Sequence, residues 1–562
     1  MAKPLAPVLD AASIDVREEF GWKHTRAAGI ELWTKGYGRV ADPKRLARDL
    51  GALGVIGSGR RLSQFLLGLD GHFAIVARGR DWALAAVDRV RSIPLAFAES
   101  RDGAIIDDQA ECLRGRLGLD DIDDDAALAL AMAGYTIDTA TLYRGIEQLG
   151  PGEFVLFRNG EAARRERYYT YRPWRADKPS HDAGKAGKAL AETTLAIIDK
   201  MMKGIGDRQL VVPLSAGRDS RLIVSAARHL GYDNVLTFAY GRKGNHEAAA
   251  SRAIAERLGY PWRFVATDTA FMRRHYASED WRLYNRFADT LQSVPFVQDL
   301  PQIQALKREG YISGDAVLCN GNSGDFISGA HIVPPMDEVP GSGTKRDRIE
   351  RIAKALYTKH FSLWSALRSD ANEERIRALL RASIARAGAR PEAPENDYGI
   401  YEYAEFQDRQ CKFVITGQRI YEYLGHEWRL PLWDNAYLDF FEAVPLEGKR
   451  GQALYARMLE EENWGGVWHD VPVNRKTIRP AWIRPLRFLA KAAHAPLGRD
   501  SWHRFERRYF QYWMESGCHS SISPYLQVAR SRDGARHGIS WLTRAYLGRH
   551  GLGFDGAVAG NA

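Results

Sequence analysis

The sequence predicts a two-part protein: a sheet-rich α+β sandwich followed by a doubly wound α/β region, a parallel sheet with added helices. Three observations predict it. Up to about Tyr169 the chain is a series of short apolar or alternating runs, closed by Gly, Arg-Asp or Asn-Gly turn signals. A polar stretch with Pro, Asp and Gly, Tyr171 to Gly187, then reads as a linker. Beyond it, QLVVPLSAGRDSRLIVSAARHLGYDNVLTFAYG is a buried strand, a turn, a helix and a second strand, the βαβ unit of a parallel sheet. The division falls into residues 1–175 and 185–562.

In chain order, strands are expected at Gly71 to Gly79, Trp82 to Val90, Ser92 to Ser100 and Gly152 to Gly160, with a helix over Asp124 to Ala133 between them. A helix over Ala189 to Lys203 opens the second part. Helical patterning returns from Glu350 to about Ala387 and from Tyr401 to Leu424, and the remainder is rich in Arg, His and Trp.

The composition, 45% hydrophobic and 27% charged over 562 residues, suits a globular chain with a sizeable core. A net charge of +9 suits attraction of an anion such as ATP, a sugar nucleotide or an acidic saccharide. There is no zinc-finger spacing and no aromatic-basic repeat, so no dedicated nucleic-acid module is expected. Cys112, Cys319, Cys411 and Cys518 lie far apart, which argues against a disulfide framework or a zinc site and fits a reducing cytoplasm. The N-terminus lacks the apolar core of a secretory signal. No run approaches ~18 apolar residues, so no membrane span is expected.

The most informative segment is Val211 to Leu222, VVPLSAGRDSRL. An apolar strand ends at Leu214. Ser215, Ala216, Gly217, Arg218, Asp219 and Ser220 form a turn of mostly small residues, and a helix opens. Backbone N–H groups at such a turn approach an anion closely, and the helix N-terminus adds partial positive charge. Ser215 and Ser220 can donate to phosphate oxygens, and Arg218 adds a further contact. Asp219 would repel phosphate unless a cation, naturally Mg²⁺, lies between. The plainer alternative is that Ser and Asp only cap the helix.

This turn resembles the pyrophosphate loop of the ATP-pyrophosphatase superfamily, usually SGGxDS, with Ala216 where the second residue is normally Gly. The resemblance implies that the strand backbone at Phe238, Ala239 and Tyr240 reads adenine. It places Glu247 at the family's acidic position leading the next helix, where a favourable helix-end carboxylate is an equal reading. Asn320 to His331, NGNSGDFISGAH, is similar to the SGxGxD loop of asparagine synthetases and β-lactam synthetases. Gly321, Asn322 and Ser323 then belong to the ATP site, and Asp325 joins Asp219 as the second carboxylate facing Mg²⁺. Asn322 stands where the family carries a catalytic Glu or Tyr, and an amide cannot act as a base. Phe326 replaces the asparagine synthetases' Glu.

YEYLGHEWRLPLWD (Tyr421 to Asp434) resembles the family's RxPFxD through Arg429, Pro431 and Asp434, and Asp434 could simply cap the following helix. In VPVNRKTIRP (Val471 to Pro480), Lys476 matches the lysine that stabilises transition-state charge, with Arg475 and Arg479 as alternatives. Gly71, Phe73, Asp88, Arg89, Pro94 and Leu95 resemble the family's N-terminal-nucleophile (Ntn) glutaminase domain. That domain needs a cysteine directly after the initiator methionine, and here the second residue is Ala2. Glutamine hydrolysis is therefore not expected.

Together these resemblances imply an amide-forming ligase using ATP and Mg²⁺. It would adenylate a small-molecule or saccharide carboxylate for attack by ammonia or an amine, with nitrogen supplied free, by the substrate or by a separate protein. The sequence QDRQCKFVITGQRIYEYLGHEWRLPLWD is similar to asparagine synthase-like proteins of surface-polysaccharide loci. A β-lactam-forming or peptide-cyclising synthetase is the neighbouring alternative, and a silent binding or scaffold homologue the one from another class. A homodimer is compatible with the sequence.

Overall fold

The computed structural model describes residues 12–54, 59–100, 103–159, 161–175, 177–178, 182–336, 343–471 and 478–553. The first part holds two sheets. Strands β2 (Lys23–Ala27), β3 (Ile30–Gly36), β4 (Phe73–Arg78), β5 (Trp82–Val87), β9 (Glu153–Arg158) and β10 (Arg164–Arg167) form an antiparallel sheet in the order β10-β9-β5-β4-β3-β2. Strands β1 (Ala12–Asp15), β6 (Ala96–Ser100), β7 (Gly103–Asp107) and β8 (Glu147–Gln148) form the other, in the order β1-β7-β6-β8.

Alternation along β4 and β5 explains the stacking. Ala74, Val76, Ala83 and Ala85 face the four-stranded sheet, where Phe97 meets Phe157 with ring centroids 5.7 Å apart. Ile75, Ala77, Leu84 and Ala86 face the other way and are covered by helices α1 (Pro43–Ala52) and α2 (Gly59–Leu67) through Leu46, Leu50, Leu62 and Leu66. With both faces covered, β5 is buried along its whole length and reads as a continuous apolar run. Helix α3 (Ala110–Leu117) packs on β6 and β7, completing a helix–sheet–sheet–helix sandwich. Helix α4 (Asp124–Ala133) matches its expected range and is capped by Asp123, which accepts from Asp125 and Ala126 N–H.

Both ends of the expected linker are packed into the structure. Tyr171 is fully buried against the Phe406 ring, and Arg172 N–H donates to Glu442. Helix α5 runs Ala183–Ile205, starting six residues before the expected Ala189, because Asp182 caps it. The Gly and Lys residues that resemble linker composition form its first turn.

In the second part, β11 (Leu210–Pro213), β12 (Val235–Gly241), β13 (Trp262–Ala266), β14 (Val317–Cys319) and β15 (Glu427–Arg429) form an all-parallel sheet in the order β13-β12-β11-β14-β15. Helices α6 (Asp219–His229) and α7 (His246–Leu258) make the crossovers from β11 to β12 and from β12 to β13. The chain thus leaves β11 toward one edge and later returns to its other side as β14. A crevice opens at the strand ends where the direction reverses, between the β11 and β14 loops. The helical stretch at Tyr401 to Leu424 is not one helix. Asp397–Glu405 widens into i→i+5 turns over Phe406–Val414 before Arg419–Tyr423. No helix among the described residues is long and apolar enough to cross a membrane, and the four cysteines are free.

Candidate active site

The β11 turn is built from its own side chains. Ser220 Oγ accepts from Ser215 N–H at 3.0 Å and lies 3.2 Å from Ser215 Oγ, while Gly217 N–H donates to Ser215 Oγ at 3.1 Å. Ala216, the departure from the usual glycine, packs its methyl into the core at 1% exposure, so it does not obstruct the turn's outer face. Buried Arg221 braces the turn from behind, donating to Ala216 O at 2.7 Å and to Val467 O and Val471 O at 3.2 and 3.0 Å. Arg218 donates to Gln452 Oε1 at 2.8 Å.

Across the crevice, the β14 loop interlocks with this turn. Asp325 N–H donates to Asp219 Oδ2 at 2.9 Å, and Tyr455 OH donates to Asp219 Oδ1 at 3.3 Å. The approach depends on two glycines: a Cβ at Gly321 would stand 2.6 Å from Ser220 N, and one at Gly324 would stand 2.7 Å from Asp219 Oδ1. Burial, then the nearby Asp325 charge, pushes the Asp219 carboxyl up to about 7. Desolvation works the same way on Asp325, but the hydrogen bond and charge of His331 outweigh it and hold that carboxyl below its ordinary value. About half of the Asp325 side chain is exposed to the crevice (51%).

Behind Asp325 lies a polar relay that sequence reasoning missed. His331 Nε2 is 3.2 Å from Asp325 Oδ2, and its Nδ1 meets Glu405, which also binds His360 at 3.0 Å and Lys359 at 3.1 Å. Burial opposes charge on Glu405, yet His360 and His331 outweigh it and keep the carboxyl well below the usual range. Burial likewise opposes charge on His331, and hydrogen bonds to Asp325 and Glu405 reverse the sign and raise it. One signal was available: Glu405 is an acid inside the apolar run GIYEYAEF, and a buried acid demands cationic partners.

Two adjoining cavities flank the carboxylate pair. One, of about 330 Å³, is lined by Leu214, Ser215, Phe238, Ala239, Tyr240 and Glu247. The other, of about 450 Å³, is lined by Asp219, Asn322, Ser323, Asp325, His331 and Arg409. They share Val297, Gln298, Glu515 and His519. Glu515, His519 and His537, also on the second wall, come from the C-terminal stretch, which carries no motif. Phe238 O accepts from Leu214 N–H at 2.8 Å, so that carbonyl already serves the β11–β12 junction. Glu247 is exposed in the first turn of α7, which Asn245 caps, so it occupies a cavity wall and a dipole-favoured position together.

The remaining expected residues divide. Lys476 and Arg475 lie outside the described residues. Arg479 packs against Gly244, where a Cβ would stand 3.1 Å from its guanidinium, in the turn leading to α7. Asp434 caps helix Asn435–Ala443, accepting from Ala436 N–H at 2.9 Å and from Lys200 at 2.7 Å, so the capping alternative holds for it. Arg429 lies 4.4 Å over the Tyr37 ring, away from the crevice lining.

The oxygen-rich pair fits a hard divalent cation. Burial first, and the Asp325 charge after it, lift Asp219 to about 7; such an ion would offset both, and carboxylate oxygen is the ligand type Mg²⁺ takes.

No family model matches the chain, and no curated protein matches it. Among solved structures, glutamine phosphoribosylpyrophosphate amidotransferase from B. subtilis, complexed with ADP and GMP, is similar over part of the chain. The identity is 12%, covering 43% of this chain and 72% of that one, with a TM-score of 0.18. A structure of the allosteric regulatory enzyme of purine biosynthesis aligns at 12% identity over 53% of this chain and 57% of that one, with a TM-score of 0.17. Likeness at this level carries no argument for fold or activity.

Proposed function

We propose that the chain is an ATP-dependent, AMP-forming ligase that joins a carboxylate to ammonia or an amine. The observation that carries this reading is the meeting of Asp219 and Asp325 across the switch point of the parallel sheet, with Asp325 N–H 2.9 Å from Asp219 Oδ2. In this reading adenine occupies the cavity along Leu214 and Phe238 to Tyr240, and the phosphates face Ser215 and Ser220. Asp219 and Asp325 would hold Mg²⁺, which when bound neutralises charge on the leaving pyrophosphate. An oxygen of the substrate carboxylate attacks the α-phosphorus, and the bond to pyrophosphate breaks. The nitrogen nucleophile then attacks the acyl carbon, the bond to AMP breaks, and the amine loses a proton. The second cavity, with Arg409 and His537 on its wall, offers a place for the carboxylate substrate.

Substrate-dependent ATP–pyrophosphate exchange tests the reading, with Mg²⁺ and a panel of amino acids and uronic acids. Exchange with at least one carboxylate, lost in Asp325→Asn, is the expected result. Failure of the wild-type chain to bind ATP in the presence of Mg²⁺ would sink it and leave a scaffold protein.

A further inference from the structure

The helix Ile483–His494 presents an apolar face to solvent. Trp482, Leu486, Leu489 and Ala493 fall at i, i+4, i+7 and i+11 and share one side. The three large ones are 54%, 52% and 64% exposed. Of the whole helix only Ile483 is buried. Its other side is tied down by an ion pair and ring contacts: Arg487 bonds Glu506 and lies 5.3 Å from the Trp502 ring centroid, and His494 lies 4.5 Å from the Phe505 ring, with all three partners on the next helix, Arg499–Tyr509. This inverts the usual arrangement, in which the apolar stripe faces the protein. Trp482, at the start of the stripe, meets the Trp513 ring edge-on with centroids 5.9 Å apart, while Leu486 and Leu489 stay mostly exposed.

Charge says what would cover them. From Val471 to Arg499 the sequence holds seven lysines and arginines and no aspartate or glutamate. Arg484 and Lys491 project from the flank opposite the apolar stripe, and Trp482 sits at the helix start. An apolar stripe of Trp and Leu with a flank of only positive charge is the pattern of a helix lying in the plane of a membrane surface. At 12 residues the helix is too short to cross a bilayer. A second copy is a poorer occupant, because pairing two such helices sets one basic run against another. We propose that this helix docks the protein on an anionic lipid leaflet, with Trp482, Leu486 and Leu489 in the headgroup boundary. The proposal is independent of the crevice.

Flotation of the full chain with vesicles tests it, using phosphatidylcholine alone or with ~30% phosphatidylserine. The expected result is binding to the anionic vesicles at least about tenfold stronger than to neutral ones, weakening as salt rises. The double variant Leu486→Glu/Leu489→Glu should lose at least about tenfold of that binding. Its unfolding temperature and nucleotide binding should match the wild type, since both side chains already face solvent. Three outcomes overturn the proposal: wild type that does not float with anionic vesicles, wild type that binds neutral vesicles equally, or a double variant that floats undiminished. A dimer by light scattering that the double variant converts to monomer would also overturn it, and would assign the stripe to a second copy.

Discussion

Asp219 is caught between two demands. Its Oδ atoms accept from Asp325 N–H and Tyr455 OH, but its charge is buried beside another carboxylate. A carboxyl raised from 3.8 to about 7 contributes its full share to the metal-free protein's stability below pH 4, and that share is lost as pH climbs through 7. Asp219→Asn keeps the shape and removes the charge. At pH 8 the metal-free variant should be more stable than wild type by roughly 1–3 kcal/mol, with the difference gone near pH 4. Its Mg²⁺-dependent ATP affinity should fall by about 100-fold or more, the loss expected when a metal-facing ligand is removed. Urea titrations at the two pH values and calorimetric ATP titration read both; a variant less stable at pH 8 would refute the account. Gly324→Ala asks the complementary question, because its Cβ would stand 2.7 Å from Asp219 Oδ1. Overpacking should cost about 1–3 kcal/mol and part the two loops, lowering the thermal midpoint and ATP binding together.

At the scale of elements, the helix Asp397–Glu405 and its wide continuation carry buried charge on several sides. Glu402 pairs with Lys449 at 2.6 Å, both essentially without exposure, and Lys449 also reaches Tyr171 OH at 3.1 Å. Burial raises the Glu402 carboxyl and lowers the Lys449 ammonium, so each ion persists through the other. Lys449→Met should cost about 3–5 kcal/mol by stranding Glu402, and adding Glu402→Gln should recover a large part of it. Chemical denaturation of the single and double variants measures the coupling; additive losses would contradict it. Elements like these mark the limit of what the sequence discloses. The β11 turn, α4 and the Asn320 to His331 loop were legible because strand-to-turn and helix periods lie within a few adjacent residues. The short strands β1, β8 and β14 were not, because two to four residues carry no period. Nor were Glu405, Glu515 and His537, which reach the crevice or its relay from far along the chain, where only tertiary packing brings them in. The helix start at Ala183, inside the expected linker, was not read because Pro, Asp and Gly mark helix starts as well as loose chain.

Across the whole molecule the two parts share one buried apolar cluster running from Ala12 to Leu547. Buried polar links cross the same boundary: Lys35 to Glu422 at 2.8 Å, and Arg91 to Cys411 O at 3.3 Å. Parts joined in this way should unfold in one transition, so a strain applied at one point lowers the midpoint of the whole. Two histidines, His275 buried and His537 half-buried, supply such a strain in acid. His275 packs at 5.2 Å from the Trp281 ring, and His537 caps helix Gly538–Arg549 with Nδ1 accepting from Ile539 N–H at 3.3 Å. Burial pushes both from 6.5 down to about 4. The neutral forms are built into the fold, so their contribution is complete above pH 6.5 and is lost as pH falls toward 4, by about 3 kcal/mol each at most. Protonation of His537 also removes the acceptor that starts its helix on the crevice wall. His275→Phe replaces a titrating ring with an apolar one between Tyr276 and Trp281. Urea midpoints at pH 7.5, 6 and 4.5 should therefore fall less steeply for this variant than for wild type, while the two agree within about 1 kcal/mol at pH 7.5. Superimposable pH slopes would show that His275 titrates in the folded protein as it does in the unfolded chain.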